Sequence, residues 1–334
     1  MKQAAEDQPR SPQTLPSLYA PVREGLDQVE QILRQKLRND HPFVDALVQY
    51  GFRMGGKRLR PALVLLSARA SGDLRREHVV LAAAIEMIHT ATLIHDDVLD
   101  EATRRRHLDT VNVRWDNETS VLLGDYLLTH SLCLASSLGD VFACRALGDA
   151  SRVMCEGELR QIEGRGHYGL SEPQYLEIIT AKTAALTACC CRLGAHYAGA
   201  APAVAEALVR YGLELGIAFQ IADDLLDVLG DEATVGKSLG TDLLKQKSTL
   251  PLIRLLERVS PDERAEIVGQ LAASGNHHRE ILRGWWGRSD ALAYARSQAL
   301  ARSRSAVDAL AAVPPSPARD ALAGLAEFAV QRQY

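Results

Sequence analysis

The chain has 334 residues, a net charge of −4, 47% hydrophobic residues and only 5% aromatics. With neither a basic domain nor a polybasic tail, nucleic acid and an anionic membrane surface have no electrostatic footing as partners. Abundant Ala and Leu with few β-branched runs point to helices, and the length suffices for a large buried core.

Residues 1–21 hold Pro9, Pro12, Pro16 and Pro21 among polar residues and lack an apolar core, so they read as a flexible tail rather than a signal peptide. Beyond them, apolar residues recur at spacings of three and four. This predicts helices over 22–38, 42–54, 58–70, 76–100, 119–138, 140–164, 172–198, 203–229, 247–258, 262–273, 290–312 and 316–333. Gly55-Gly56, Ser71-Gly72, Gly139-Asp140, Gly164 to Gly169, Gly199 to Pro202, Gly230 to Gly240 and Pro314 to Pro317 mark the breaks. No region alternates as a strand would, so the expected class is all-α. No shift in composition divides 22–334, so that span is expected to be one domain.

The most apolar stretch, Val79 to Ile94, is interrupted by Glu86 and His89 and falls short of the roughly 20 residues a bilayer requires, so no transmembrane segment is expected. The six cysteines, Cys133, Cys144, Cys155 and Cys189-Cys190-Cys191, form no CxxC pair and lie in apolar helical sequence. They read as reduced thiols packing as small hydrophobes, which suits a cytoplasmic protein.

Chemistry-bearing residues recur along this frame. Gly55-Gly56-Lys57-Arg58-Leu59-Arg60-Pro61 sets a glycine turn before three cations, a geometry that lets backbone approach an anion while Lys57 and Arg60 reach it. Alone, it also fits an ordinary solvated turn. Two acidic clusters follow, Asp96-Asp97-Val98-Leu99-Asp100 and Asp223-Asp224-Leu225-Leu226-Asp227. On a helix the first and last carboxylates of each project together and repel. One such cluster is most often a solvated acidic face. Two, each embedded in apolar sequence, are better explained as hard oxygen ligands for Mg²⁺ bridging a phosphorylated substrate. Arg104-Arg105-Arg106 follows the first cluster, and Lys237, Asp242 and Lys247 follow the second, placing cations for phosphate oxygens beside each metal face. His89 precedes Asp96 by two helical turns and so faces the same side, although a lone histidine on an apolar helix is ordinarily a core residue.

Taken together, GGKRLRP at 55–61, IHTATLIHDDVLDEA at 88–102, GDYLL at 124–128, AKTAAL at 181–186, GIAFQIADDLLD at 216–227 and GKSLGTDLLKQKSTLP at 236–251 resemble the trans-isoprenyl diphosphate synthases, the polyprenyl synthetase family, from about Val22 to Tyr334. The resemblance implies a bundle of about a dozen helices around a central hydrophobic cavity, a homodimer, three Mg²⁺ ions per active site, and condensation of isopentenyl diphosphate with an allylic diphosphate. It assigns Gly56, Lys57, Arg60, His89 and Arg106 to the isopentenyl diphosphate. Arg105, Lys182, Lys237 and Lys247 go to the allylic diphosphate. Asp96, Asp97, Asp100, Asp223, Asp224 and Asp227 go to the metal, and Lys182, Thr183 and Gln220 to the bond-forming region.

Ala91 and Thr92, one turn before Asp96, are small where short-chain members of the family often carry aromatic rings, which implies a long product. Its floor would lie near Leu127, Leu128, Ser131 or Leu132. One departure is visible: the family commonly continues Arg-Arg-Gly-x-Pro, whereas this chain has Arg105-Arg106-His107-Leu108-Asp109, so the loop that presents the arginines is expected to differ in shape. Three rivals stay open: a farnesyl or geranylgeranyl diphosphate synthase of the same fold, a noncatalytic regulatory subunit, and a terpene cyclase.

Overall fold

The protein was analysed as a computed structural model, which describes residues 14–53, 56–230, 240–273 and 278–331. The helices in chain order are α1 Leu15–Leu18, α2 Arg23–Lys36, α3 Pro42–Arg53, α4 Leu59–Ser71, α5 Arg76–Leu99, α6 Val111–Arg114, α7 Asn117–Ser136, α8 Val141–Glu163, α9 Glu172–Ile179, α10 Ala185–Tyr197, α11 Pro202–Leu229, α12 Thr241–Leu244, α13 Leu250–Arg258, α14 Pro261–Ala273, α15 His278–Trp286, α16 Ala291–Ala309 and α17 Pro317–Val330. The expected all-α class holds. Helix starts carry the anticipated chemistry: the side chains of Asp116, Asp140 and Ser316 cap α7, α8 and α17, and proline stands in the first turn of α11, α13 and α17.

Helices α4 and α5 are apolar nearly all round and form the centre, which is how a helix without a polar face must be placed. Helices α2, α7 and α10 pack around them, and α11 packs on α10, α16 and α17. Gly157 on α8 lets the 180–184 turn approach, because a Cβ there would lie 2.6 Å from the Lys182 amide nitrogen.

Several expectations are corrected. Residues 14–21, assigned to the flexible tail, instead form α1 and a 3₁₀ turn that buries Leu18 and Val22 and carries the Tyr19 hydroxyl, which donates to the Lys57 carbonyl at 2.9 Å. Helix α5 runs 24 residues, so it and the 172–197 segment are long and apolar enough to cross a membrane. Their apolar windows, however, are 78% and 72% buried within the bundle. Helix 172–198 is interrupted at Thr180–Ala184 by a π-helical turn, the kind of bulge that re-aims side chains. Helix α15 was not anticipated; it buries Leu282 and Trp285, three residues apart, across a glycine-containing, charged segment whose apolar pattern is short. Finally, the altered loop is a two-stranded hairpin, Arg104–Arg105 against Leu108–Asp109. Its two turn residues, Arg106 (φ 51°) and His107 (φ 64°), are both left-handed, the arrangement that a two-residue hairpin demands.

Candidate active site

The C-terminal ends of α5 and α11 deliver the two acidic clusters, and a chain of polar contacts joins them. Lys247 Nζ lies 2.9 Å from Asp100 Oδ2 and 3.5 Å from Asp242 Oδ1, and the Asp242 amide donates to Asp227 Oδ2 at 3.2 Å. Residues 247–249, expected to open the next helix, instead belong to the loop that carries Lys247, and α13 begins only at Leu250. Burial opposes the Lys247 ammonium, but Asp242 and Asp100 outweigh it and hold its pKa above the ordinary lysine value. Asp100 is affected in the reciprocal way. Burial pushes its carboxyl up, and Lys247, Lys182 and Arg165 together bring it below the usual value.

Asp96 is raised by burial, with Lys182 pulling down and Glu158 and Asp100 adding to the rise. The π turn places the Lys182 ammonium between Glu158, with which it forms an ion pair, and the Gln161 Oε1 acceptor at 2.8 Å. Next to it, Thr183 Oγ1 donates to Gln220 Oε1 at 2.7 Å, and Gln220 Nε2 donates to Asp224 Oδ1 at 2.7 Å. Tyr175 donates to the other Asp224 oxygen at 2.7 Å. Burial first, and Asp242 second, push the Asp224 carboxyl up to about 8 against those two donors.

Asp97 and Asp224, named above with the metal ligands, are thus committed elsewhere. Each follows the leading carboxylate of its cluster by one residue, about 100° round the helix, and turns into the protein. Asp97 is buried against Arg105 at 2.8 Å, which also occupies the guanidinium assigned to the allylic diphosphate. Asp223 stays part-exposed and Asp227 is buried against α12. Among the described residues no three His, Cys, Asp or Glu converge tightly enough to hold an ion alone. The remaining donor set of Asp96, Asp100, Asp223 and Asp227 still fits Mg²⁺, which is commonly held by one or two carboxylates together with substrate phosphates.

Beside this cleft lies a small, largely apolar pocket lined by Gly51, Gly56, Glu86, His89, Thr90, Leu93, Ile94 and Arg105, and several arginines surround its His89. Arg60 lies near His89, its pKa lowered by burial, and its buried Nε has no hydrogen-bond partner. The Arg106 guanidinium lies against Gly56, where a Cβ would come within 2.6 Å of it. Burial and then Arg60, Arg106, Arg105 and Arg58 keep the His89 imidazole neutral, far below its ordinary pKa. Lys57 stands 5.9 Å over the Phe328 ring. The third cation of the glycine turn, Arg58, is paired with Glu30 at 2.5 Å and with buried Glu86, at the edge of the pocket, at 2.7 Å. Lys237 lies outside the described residues.

Ala91 is buried, and Thr92 is half-buried with its hydroxyl on the His89 carbonyl. Of the suggested floor residues, Leu127 and Ser131 are buried and Leu128 partly so, whereas Leu132 is exposed and faces away. Glu158, Gln161, Arg165, Tyr175 and Glu86 were not anticipated as site residues. The first three sit in a segment dense in charge that reads as a solvated helix end, and only the fold turns one edge of it to Asp96 and Asp100.

The family model for polyprenyl synthetase matches residues 41–283. The chain is 37% identical over 306 residues to octaprenyl diphosphate synthase of Escherichia coli, covering 91% of this chain and 94% of that one. It is 37% identical over 320 residues to nonaprenyl diphosphate synthase of Mycobacterium tuberculosis, covering 94% of each. The crystal structure of a polyprenyl synthase from Caulobacter crescentus, complexed with calcium and isoprenyl diphosphate, superposes with a TM-score of 0.92 at 37% identity, covering 98% of this chain and 100% of that one.

Proposed function

The chain belongs to the polyprenyl synthetase family, and we propose that it condenses isopentenyl diphosphate with an allylic diphosphate, head to tail and trans, to build a long-chain polyprenyl diphosphate. The observation that supports this reading is the contact chain Asp100–Lys247–Asp242–Asp227, which links the two acidic clusters, together with a neighbouring group of cations, Arg60, Arg106 and Arg105, around His89. A condensation of two diphosphates requires two such sites. A terpene cyclase would need only one, and a noncatalytic subunit would need neither acidic cluster intact.

Asp96, Asp100, Asp223 and Asp227 would hold Mg²⁺, three ions in the loaded site, and the bound metal supplies charge neutralisation to the departing diphosphate. The protein's own groups do the rest. Lys182 and Lys247 fix the allylic diphosphate, and Arg60, Arg106, Lys57 and His89 orient isopentenyl diphosphate with its double bond towards the cleft. The Thr183 hydroxyl donates a hydrogen bond to Gln220 Oε1, and Gln220 Nε2 donates to Asp224, so the Thr183 oxygen keeps its lone pairs for the region where positive charge develops as the allylic bond ionises. The alkene attacks that cation as diphosphate leaves, and the tertiary cation so formed loses a proton, taken up by the released diphosphate, from the CH2 next to the diphosphate-bearing carbon, which leaves an allylic diphosphate one isoprene unit longer.

Small Ala91 and Thr92 leave room for a tail beneath Asp96, which supports a long product, as do the octaprenyl and nonaprenyl relatives. An exposed apolar face over α7 and α8, including Leu122, Leu132, Val141 and Leu159, supports a homodimer. Six unbridged cysteines favour the reducing cytoplasm. Incubation of the protein with Mg²⁺, farnesyl diphosphate and radiolabelled isopentenyl diphosphate, followed by sizing of the dephosphorylated products, tests the reading. Products well beyond geranylgeranyl are expected. A ladder stopping there would refute the long product, and no incorporation would refute the transferase.

A further inference from the structure

Resting on that functional reading, we propose that Arg165, a residue outside every motif of the sequence, contacts the allylic diphosphate and sets the affinity for it. Arg165 follows α8, and its guanidinium lies 3.1 Å from Asp100 Oδ1, while Lys247 occupies the other oxygen of the same carboxylate at 2.9 Å. One carboxylate therefore carries two cations. Lys247 shares its charge with Asp242, but the ion pair recorded for Arg165 is with Asp100 alone. Its fork is only part-used, since its Nε is enclosed and has no hydrogen-bond partner. An arginine with unspent donors beside a carboxylate of the metal face is arranged for bidentate capture of phosphate.

The loop that holds Arg165 is braced rather than loose. The Gly166 amide donates to the Gln246 carbonyl at 3.0 Å, the Ser248 hydroxyl to the His167 carbonyl at 3.4 Å, and Arg264 to the Tyr168 carbonyl at 2.9 Å. Gly166 sits at φ 74°, a left-handed backbone that favours glycine. Arg165 and Lys247 are thus presented by two loops tied together around Asp100. With Asp100 engaged in holding Mg²⁺, Arg165 would be left without its ion-pair partner and Lys247 with Asp242 alone, and the anion beside them would be the diphosphate on the same metal face. A cation that served only to neutralise the empty carboxylate would not need this bracing.

The test compares wild type with Arg165→Gln and Arg165→Lys. Calorimetric titration of pyrophosphate in the presence of Mg²⁺ gives affinity without turnover, and steady-state kinetics give the KM for each substrate. Arg165→Gln is expected to weaken pyrophosphate binding and to raise the allylic KM about tenfold, the loss of one charge-assisted contact. The KM for isopentenyl diphosphate should stay within about twofold, and Arg165→Lys should recover part of the loss. Unchanged pyrophosphate binding and allylic KM would overturn the proposal. So would a parallel rise in both KM values, or a reduced Mg²⁺ requirement with the allylic KM intact, since these mark a structural brace or a counterion. If wild type transfers no prenyl group, the functional reading fails instead, and the pyrophosphate titrations still decide Arg165.

Discussion

Replacing Arg58 tests whether the glycine turn of the cationic group is held by a buried charge network. Arg58 sits at φ 51° between Lys57 and Arg60 and bridges Glu30 and Glu86, whose side chain is only 3% exposed. In Arg58→Met the Glu86 carboxylate loses its ion-pair partner while still buried, which costs about 3–5 kcal/mol. With an unfolding entropy of about 2.1 cal/mol/K per residue, a chain of this size should lose roughly 4–7 °C in Tm. Glu86→Gln leaves Arg58 paired with Glu30 and should cost less, about 1–2 kcal/mol. The double variant should recover most of the Arg58→Met loss, because no charge remains stranded.

The pH dependence of these variants carries a sign. Burial raises the Glu86 carboxyl above its ordinary value, with Arg58 pulling it down. Without Arg58 it rises further, so the folded state keeps a proton that the unfolded chain releases. Stability then falls as pH climbs from about 4.5 through the folded pKa, and the Arg58→Met deficit should widen from mildly acidic to neutral pH. Differential scanning calorimetry of the four proteins measures both effects. Additive losses, or a deficit independent of pH, would refute the network.

Other variants probe the remaining parts. Asp96→Asn or Asp223→Asn should lower turnover by about two orders of magnitude or more with circular dichroism unchanged; near-normal rates in both would rule out the shared metal site. Ala91→Phe, at a buried position, should shorten the products at a cost of about 1–3 kcal/mol in stability, checked by product sizing and thermal melts. His107→Gly relieves a left-handed residue in the hairpin turn and should stabilise by about 1 kcal/mol with activity retained, read from the melting temperature. Leu122→Asp with Leu159→Asp should yield monomers in light scattering; an unchanged mass would place the interface elsewhere.

Most helices were legible because their apolar spacing and their glycine or proline breaks agree, as in α11, predicted at 203–229 and found at Pro202–Leu229. The π turn at Thr180–Ala184 was not, since its residues have ordinary helical propensity and only packing of α8 and α11 against it selects the bulge. The hairpin was hidden for a similar reason: Arg106-His107 is a poor turn pair, and tertiary contacts such as Arg106 on Gly56 and Arg105 on Asp97 hold it there. In the site, the outer aspartates could be read from their spacing. The division of labour within each cluster could not, because it depends on which neighbour, Arg105 or Tyr175, the fold brings to the inner one.

That division explains how the protein tolerates so much acid on apolar helices before substrate arrives. The inner carboxylates are engaged by the protein itself, Asp97 by an arginine and Asp224 by two hydrogen-bond donors. The outer ones are neutralised reversibly: Asp100 by Lys247 and Arg165, with Lys182, held by Glu158 and Gln161, pulling on Asp96. Each reversible partner is a cation that a diphosphate can take over. On the proposed function, Mg²⁺ and diphosphate arriving together would exchange one set of ion pairs for another, whereas either alone would strand cations or carboxylates. Pyrophosphate and Mg²⁺ should consequently bind with positive coupling, each tightening the other by the same factor. Titrating each at fixed concentrations of the other measures that factor, and a value of one would mean that the resting ion pairs play no part in assembling the loaded site.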